Sequence, residues 1–116
     1  MTGIELIARE RQRQIREKNY TAEYDDLFVN GELAIAGACH GVFGVEGDDT
    51  YVVKGLGTGR GLPEDAYPWE PAHDTRENHS RLDNLVVAGA YFAAEIDRIL
   101  RLEEAMSNPI NKDGQD

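Results

Sequence analysis

One cysteine, Cys39, stands among the 116 residues, so the chain can build neither an intramolecular disulfide nor a cysteine-rich zinc site. Its four prolines and twelve glycines exclude collagen-like and proline-rich sequence. No apolar run approaches the roughly 20 residues that cross a bilayer. The opening stretch, MTGIELIARERQRQ, turns charged too early for a secretory leader, which gives a cytoplasmic expectation. Histidines at zinc spacing are missing too. Basic charge is scarce: 12 Lys and Arg face 22 Asp and Glu, a formal charge of −10.

What is present fits an ordinary globular domain, with 41% apolar and 29% charged residues. Residues 1–106 read as a single helical domain and residues 107–116 as a flexible C-terminal tail. Residues 1–18 carry five basic and three acidic groups, whereas residues 19–50 carry seven acids and no Lys or Arg. Such a surface repels duplex nucleic acid. A few focused arginines can still hold a small phosphate-bearing ligand.

The pattern predicts a mainly α, compact three-helix domain. A first helix over residues 3–18 starts with Thr2 and Glu5 at capping-box spacing. Ile4, Ile7, Ala8, Arg11 and Ile15 follow its period as a thin stripe. A second helix, residues 30–43, is apolar nearly all round and so is expected at the centre. The third, residues 80–105, has one apolar face of Leu82, Leu85, Val86, Gly89, Phe92, Ala93, Ile96, Ile99 and Leu100. Beside it runs a second strip of Val87, Ala90, Tyr91 and Ala94. Three helices offer little surface for both strips, which predicts a homo-oligomer joined through this helix. Residues 44–66 enter as a Gly-rich loop or short β-hairpin insertion, with Thr50 to Val53 as its strand.

The glycines at 55, 57, 59 and 61 lack the Gly-Lys-Ser/Thr ending of a phosphate loop. They read as a surface loop or, together with Arg60, as a cover for an anion. Asp25, Asp26 and Glu32 suit the start of a helix, where its dipole favours negative charge. Their alternative role is oxygen ligation of Mg²⁺. His40, amid Ala and Cys, reads as a hydrogen-bonded core residue, and Cys39 beside it gives no sign of a nucleophile. No cofactor or metal is expected.

Aromatic rings in connecting segments are more telling. Tyr20, Tyr24, Tyr67 and Trp69 lie where a core does not require them, and Arg9, Arg13, Arg76 and Arg81 lie near the same junctions. Rings that stack on a base, with guanidinium groups on phosphate, make a nucleotide site. Asp25, Asp26, Asp83 or Asn84 would then read a ribose or base edge. The alternative is structural: rings plug the end of a small bundle while arginines pair with the surplus acids.

The stretches ERQRQIREKNYTAEYDD, NGELAIAGACH, YPWEP and LDNLVVAGAYFAAEIDRIL resemble a family of small phage and prophage proteins. Its members show E-R-x-R-Q-I, an aromatic turn ending in Asp-Asp, Gly-Glu-Leu-Ala and a terminal A-E-I-D-R-L helix. This chain has Asn19 where glycine is usual, and Tyr20, Tyr24 and Val87 where Trp, His and Lys are. More distantly, the arginine-rich helix, aromatic turn and Asp pair are similar to the RyR-type domain, which in prokaryotes occurs in nucleotide-signalling conflict systems.

That resemblance implies a non-enzymatic binder of a nucleotide-like signalling molecule: a phage anti-defence sponge in the host cytoplasm that sequesters an immune second messenger. Arg9, Arg13, Arg76 or Arg81 would hold phosphate, Tyr20 and Trp69 would stack, Tyr24 would line the same site, and Asp25 or Asp26 would orient the ligand. One alternative is an all-α, MazG-like, metal-dependent nucleotide pyrophosphohydrolase. Its paired carboxylates are poorly matched here, because Glu32 lacks companions and Glu95 and Asp97 stand at the wrong interval. Another is an acidic inhibitor that grips a host protein.

Overall fold

The computed structural model describes residues 1–43 and 67–107. The strand expected at 50–53, the glycine loop at 55–61 with Arg60, and the tail beyond Ser107 lie outside the described residues. Within them the protein is mainly helical and compact, with no strand. In chain order the helices are α1 (Gly3–Glu17), α2 (Ala22–Asp25), α3 (Glu32–Val42) and α4 (Arg81–Ser107). Two 3₁₀ turns, Pro71–His73 and Arg76–Asn78, precede α4.

Local chemistry sets these boundaries. The α1 capping box forms: Thr2 N–H donates to Glu5 Oε1 at 2.7 Å, and Glu5 N–H donates to Thr2 Oγ1 at 3.2 Å. At the other end Asn19 adopts φ 58°, the left-handed region that Asn and Gly enter most readily. The Gln14 carbonyl accepts from both Lys18 and Tyr20 N–H, which turns the chain. Thr21 then caps α2, a single turn not foreseen within YTAEYDD, by accepting from Tyr24 N–H.

The packing centre is α4, not the second predicted helix: α1, α2 and α3 all pack against it. The two strips of α4 differ in burial, as limited internal surface requires. Val87, Ala88, Ala90, Tyr91 and Ala94 are buried, while Leu82, Leu85, Phe92, Ile96, Ile99 and Leu100 stay exposed. Small residues win the interior because α3 brings Leu33, Ala36 and Cys39 against α4 at short range. Gly37 marks that closeness, since a Cβ there would lie 2.6 Å from the Phe92 ring. Leu33, Ala36, Val87, Tyr91 and Ala94 form the core cluster, with Phe28 and Trp69 packed on it.

A polar network pins the far end of α3. His40 and Asn84, each 1% exposed, are joined by a 2.7 Å hydrogen bond between Nδ1 and Oδ1. Asn84 Nδ2 donates to the Arg76 carbonyl at 2.9 Å, which leaves Oδ1 as the acceptor. His40 therefore carries its proton on Nδ1. Burial pushes the His40 pKa down, against the opposing pull of Asn84. Cys39 is likewise buried, and the same desolvation raises its thiol pKa, so it is an inert core residue.

Candidate functional site

The turn after α1, the α2 helix and the segment leading into α4 bring six rings together. Tyr20 stacks on Tyr24 with centroids 5.2 Å apart and planes 13° apart. Tyr24 meets Phe28 edge to face at 5.1 Å, and Phe28 meets Trp69 at 5.2 Å. Trp69 contacts Tyr67 at 5.8 Å and Tyr91 of α4 at 5.7 Å. The result is a continuous chain of rings drawn from three separate stretches of sequence.

These rings line a cavity of about 550 Å³. Leu27, Leu33 and Pro68 complete its apolar wall, and Asp25, Glu70 and His73 supply polar groups. Its size falls within the range of small-molecule pockets, roughly 300–1,000 Å³. The Tyr67 hydroxyl donates to the His73 carbonyl at 2.8 Å, fixing the ring to the 3₁₀ turn. Burial raises the phenol pKa values of Tyr20, Tyr67 and Tyr91, so all three rings stay uncharged.

Asp25 is the buried charge of the wall, 1% exposed, with Oδ2 2.8 Å from Arg11 Nη2. Desolvation raises its pKa, with Arg11 pulling in the opposite direction. Glu70 is exposed at the rim. No Lys or Arg lines this cavity among the described residues.

Comparison of the chain with protein-family models, curated proteins and solved structures finds no match in any of the three.

Of the residues expected to form a site, Tyr20, Tyr24, Asp25 and Trp69 converge on the cavity. Asp26 and the four arginines stand elsewhere; Asp26, Arg13, Arg76 and Arg81 are each engaged by other groups, and Arg9 contacts Met1 Sδ at 3.7 Å. Asp26 receives Arg101 Nη2 at 2.7 Å. Arg13 makes two 2.8 Å bonds to Glu10 and lies 3.7 Å from Glu17. Arg9 shares with Arg13 a groove between α1 and α4, alongside Glu10, Glu17 and Asp83. Arg76 grips Asp74 through Nε and Nη2 and lies over the Phe43 and Tyr67 rings. Arg81 donates to the Gly41 and Phe43 carbonyls at the end of α3. Asn84 is tied to His40 and Arg76, away from any ligand edge.

The aromatic and polar lining groups Phe28, Tyr91, Glu70 and His73 were not among the residues expected from sequence. Phe28 had a signal, because Tyr20, Tyr24 and Phe28 are spaced by four, as neighbours on one helical face are. Tyr91 had none, since it reads simply as part of an apolar helix strip. Arg11, read as part of the α1 stripe, is the guanidinium that neutralises the pocket wall through Asp25.

Proposed function

We propose that this protein is a non-enzymatic binding protein for a nucleotide-like signalling molecule, whose flat ring enters the aromatic pocket. The supporting observation is the convergence of six rings from three chain segments on one cavity with carboxylates at its wall. Aromatic faces stack on bases, and a carboxylate accepts from ring amino and imino N–H groups. The ring end of the ligand is held and its phosphate stays toward solvent, because none of the four expected arginines lines the cavity. The wider role, a phage counter-defence sponge that withdraws a host immune nucleotide, comes from the family resemblance.

Binding rather than hydrolysis also suits the way the carboxylates are engaged. Asp25 pairs with Arg11, Asp26 with Arg101 and Glu95 with Arg98, while Glu32 accepts from Asn30 N–H. Isothermal calorimetry against nucleosides and cyclic and linear nucleotides tests the reading. Saturable heat, weakened at least tenfold by Trp69→Leu, and recovery of intact ligand after denaturation are expected. An absence of heat with every compound would overturn it.

The proposal extends to a second copy of the chain on α4. Leu82, Leu85, Phe92, Ile96 and Ile99 are exposed at heptad-like spacing, the intervening Gly89 being covered by Ile7 of α1. That is the spacing of a helix–helix seam. Light scattering after size exclusion is expected to give a multiple of 12.9 kDa. Ile96→Glu is expected to return the monomer, and a wild-type monomer at all concentrations would remove this part of the proposal.

A further inference from the structure

The polarity of the aromatic pocket carries more than its shape. Six aromatic rings and the carboxylates of Asp25 and Glu70 line it; no guanidinium or ammonium group does so among the described residues, that of Arg76 lying over the Tyr67 ring and being paired with Asp74. Ring faces are negative in their quadrupole and attract cations. Among the described residues, the ion pairs beside the pocket, Arg11–Asp25 and Arg76–Asp74, do not take up Glu70, so the rim keeps an acid. The chain as a whole carries −10, a field that draws cations toward this surface and repels anions. Among the described residues, a phosphate inside the pocket would meet the Glu70 carboxylate and ring faces with no cation in the lining, whereas a positively charged ring would find both complementary.

Resting on the reading of this cavity as the ligand site, we propose that the pocket selects a planar heteroaromatic cation, a ring bearing a fixed positive charge, over its neutral counterpart. The ring of such a ligand stacks on Tyr24 or Trp69, and its charge is balanced by Glu70 and by the π faces. Asp25 contributes as an acceptor for ring N–H groups, its own charge being largely answered by Arg11.

Matched pairs test this directly. In 7-methylguanosine against guanosine, and 1-methylnicotinamide against nicotinamide, one methyl group creates the charge while the ring is kept. Calorimetry on the wild-type full chain is expected to show the cation bound about tenfold tighter in each pair, the range of a partly desolvated cation–π contact. Glu70→Gln, a change at an exposed rim residue, is expected to narrow that ratio without altering the circular dichroism spectrum or melting temperature. Tyr24→Leu is expected to weaken both members and the cation more. If both members of each pair bind equally, or the neutral one more tightly, cation selection is overturned while the pocket remains a ring-binding site. If no member of either pair binds, the cation proposal falls together with the ring-binding reading beneath it.

Discussion

Arg11 of α1 holds Asp25 of α2 by a 2.8 Å ion pair at the wall of the aromatic pocket. The partners are fourteen residues apart, so the bond fastens the first helix to the turn that carries Tyr20 and Tyr24. The pair is not fully compensated: among the described residues, Arg11 Nε and Nη1 are buried without a hydrogen-bond partner. Removing one member of such a pair leaves the other charge buried and alone, at a cost of about 3–5 kcal/mol. Arg11→Met is therefore expected to lower the urea midpoint sharply. The double variant Arg11→Met, Asp25→Leu is expected to recover most of the loss, because no isolated charge remains. A double variant as unstable as the single one would show that the pair contributes through geometry instead.

Gly37 is set by the Phe92 ring. Alanine in a helix gains about 1 kcal/mol over glycine from backbone entropy, but here its Cβ would meet the ring at 2.6 Å. Overpacking of this kind costs about 1–3 kcal/mol, which outweighs the gain. Gly37→Ala alone is expected to destabilise, and with Phe92→Leu beside it to be close to neutral. Thermal melts of the two variants decide the matter.

His40 gives the fold a pH dependence of known sign. Burial holds its folded pKa below the ordinary 6.5. As pH falls through 6.5 the unfolded chain takes up a proton that the folded one refuses, so stability drops until the depressed folded pKa is reached. Above 6.5 both states are neutral and this contribution is fully present. Denaturant midpoints between pH 7.5 and 5.5 are expected to fall, and His40→Gln is expected to flatten that part of the slope. A wild-type slope unchanged in the variant would assign the effect to another group.

Arg81 closes α3 from the first turn of α4. Its Nη1 donates to the Gly41 and Phe43 carbonyls at 2.6 and 3.0 Å, where a helix end presents unsatisfied acceptors. The side chain is exposed, so Arg81→Ala is expected to cost only about 1 kcal/mol. Hydrogen exchange is expected to quicken at the last turn of α3 more than elsewhere.

The long helices were legible because their signals are local: the Thr2–Glu5 cap, the nearly all-apolar run over residues 30–43 and the apolar periodicity over 80–105. Which strip of α4 faces inward was not legible, because hydrophobicity favours Leu82, Leu85 and Phe92, whereas close approach of α3 selects alanine. The pocket rings could be read in part, since Tyr20, Tyr24 and Trp69 sit in connections with no obvious packing duty. The arginines could not. Nearness in sequence to a junction does not say which side of it a long side chain takes, and nearby acids at Glu10, Asp74 and the α3 carbonyls claim Arg13, Arg76 and Arg81. Asp25 and Asp26 are adjacent yet part ways, one into the wall and one onto Arg101, because successive helical residues point about 100° apart.

Trp69 is the sole tryptophan of the chain, and it lies at the junction of Phe28, Tyr67 and Tyr91 in the cavity wall. Indole emission from the unmodified protein thus comes from the pocket alone. Any occupant that stacks there quenches or shifts that light, so the molecule carries its own optical reporter of occupancy.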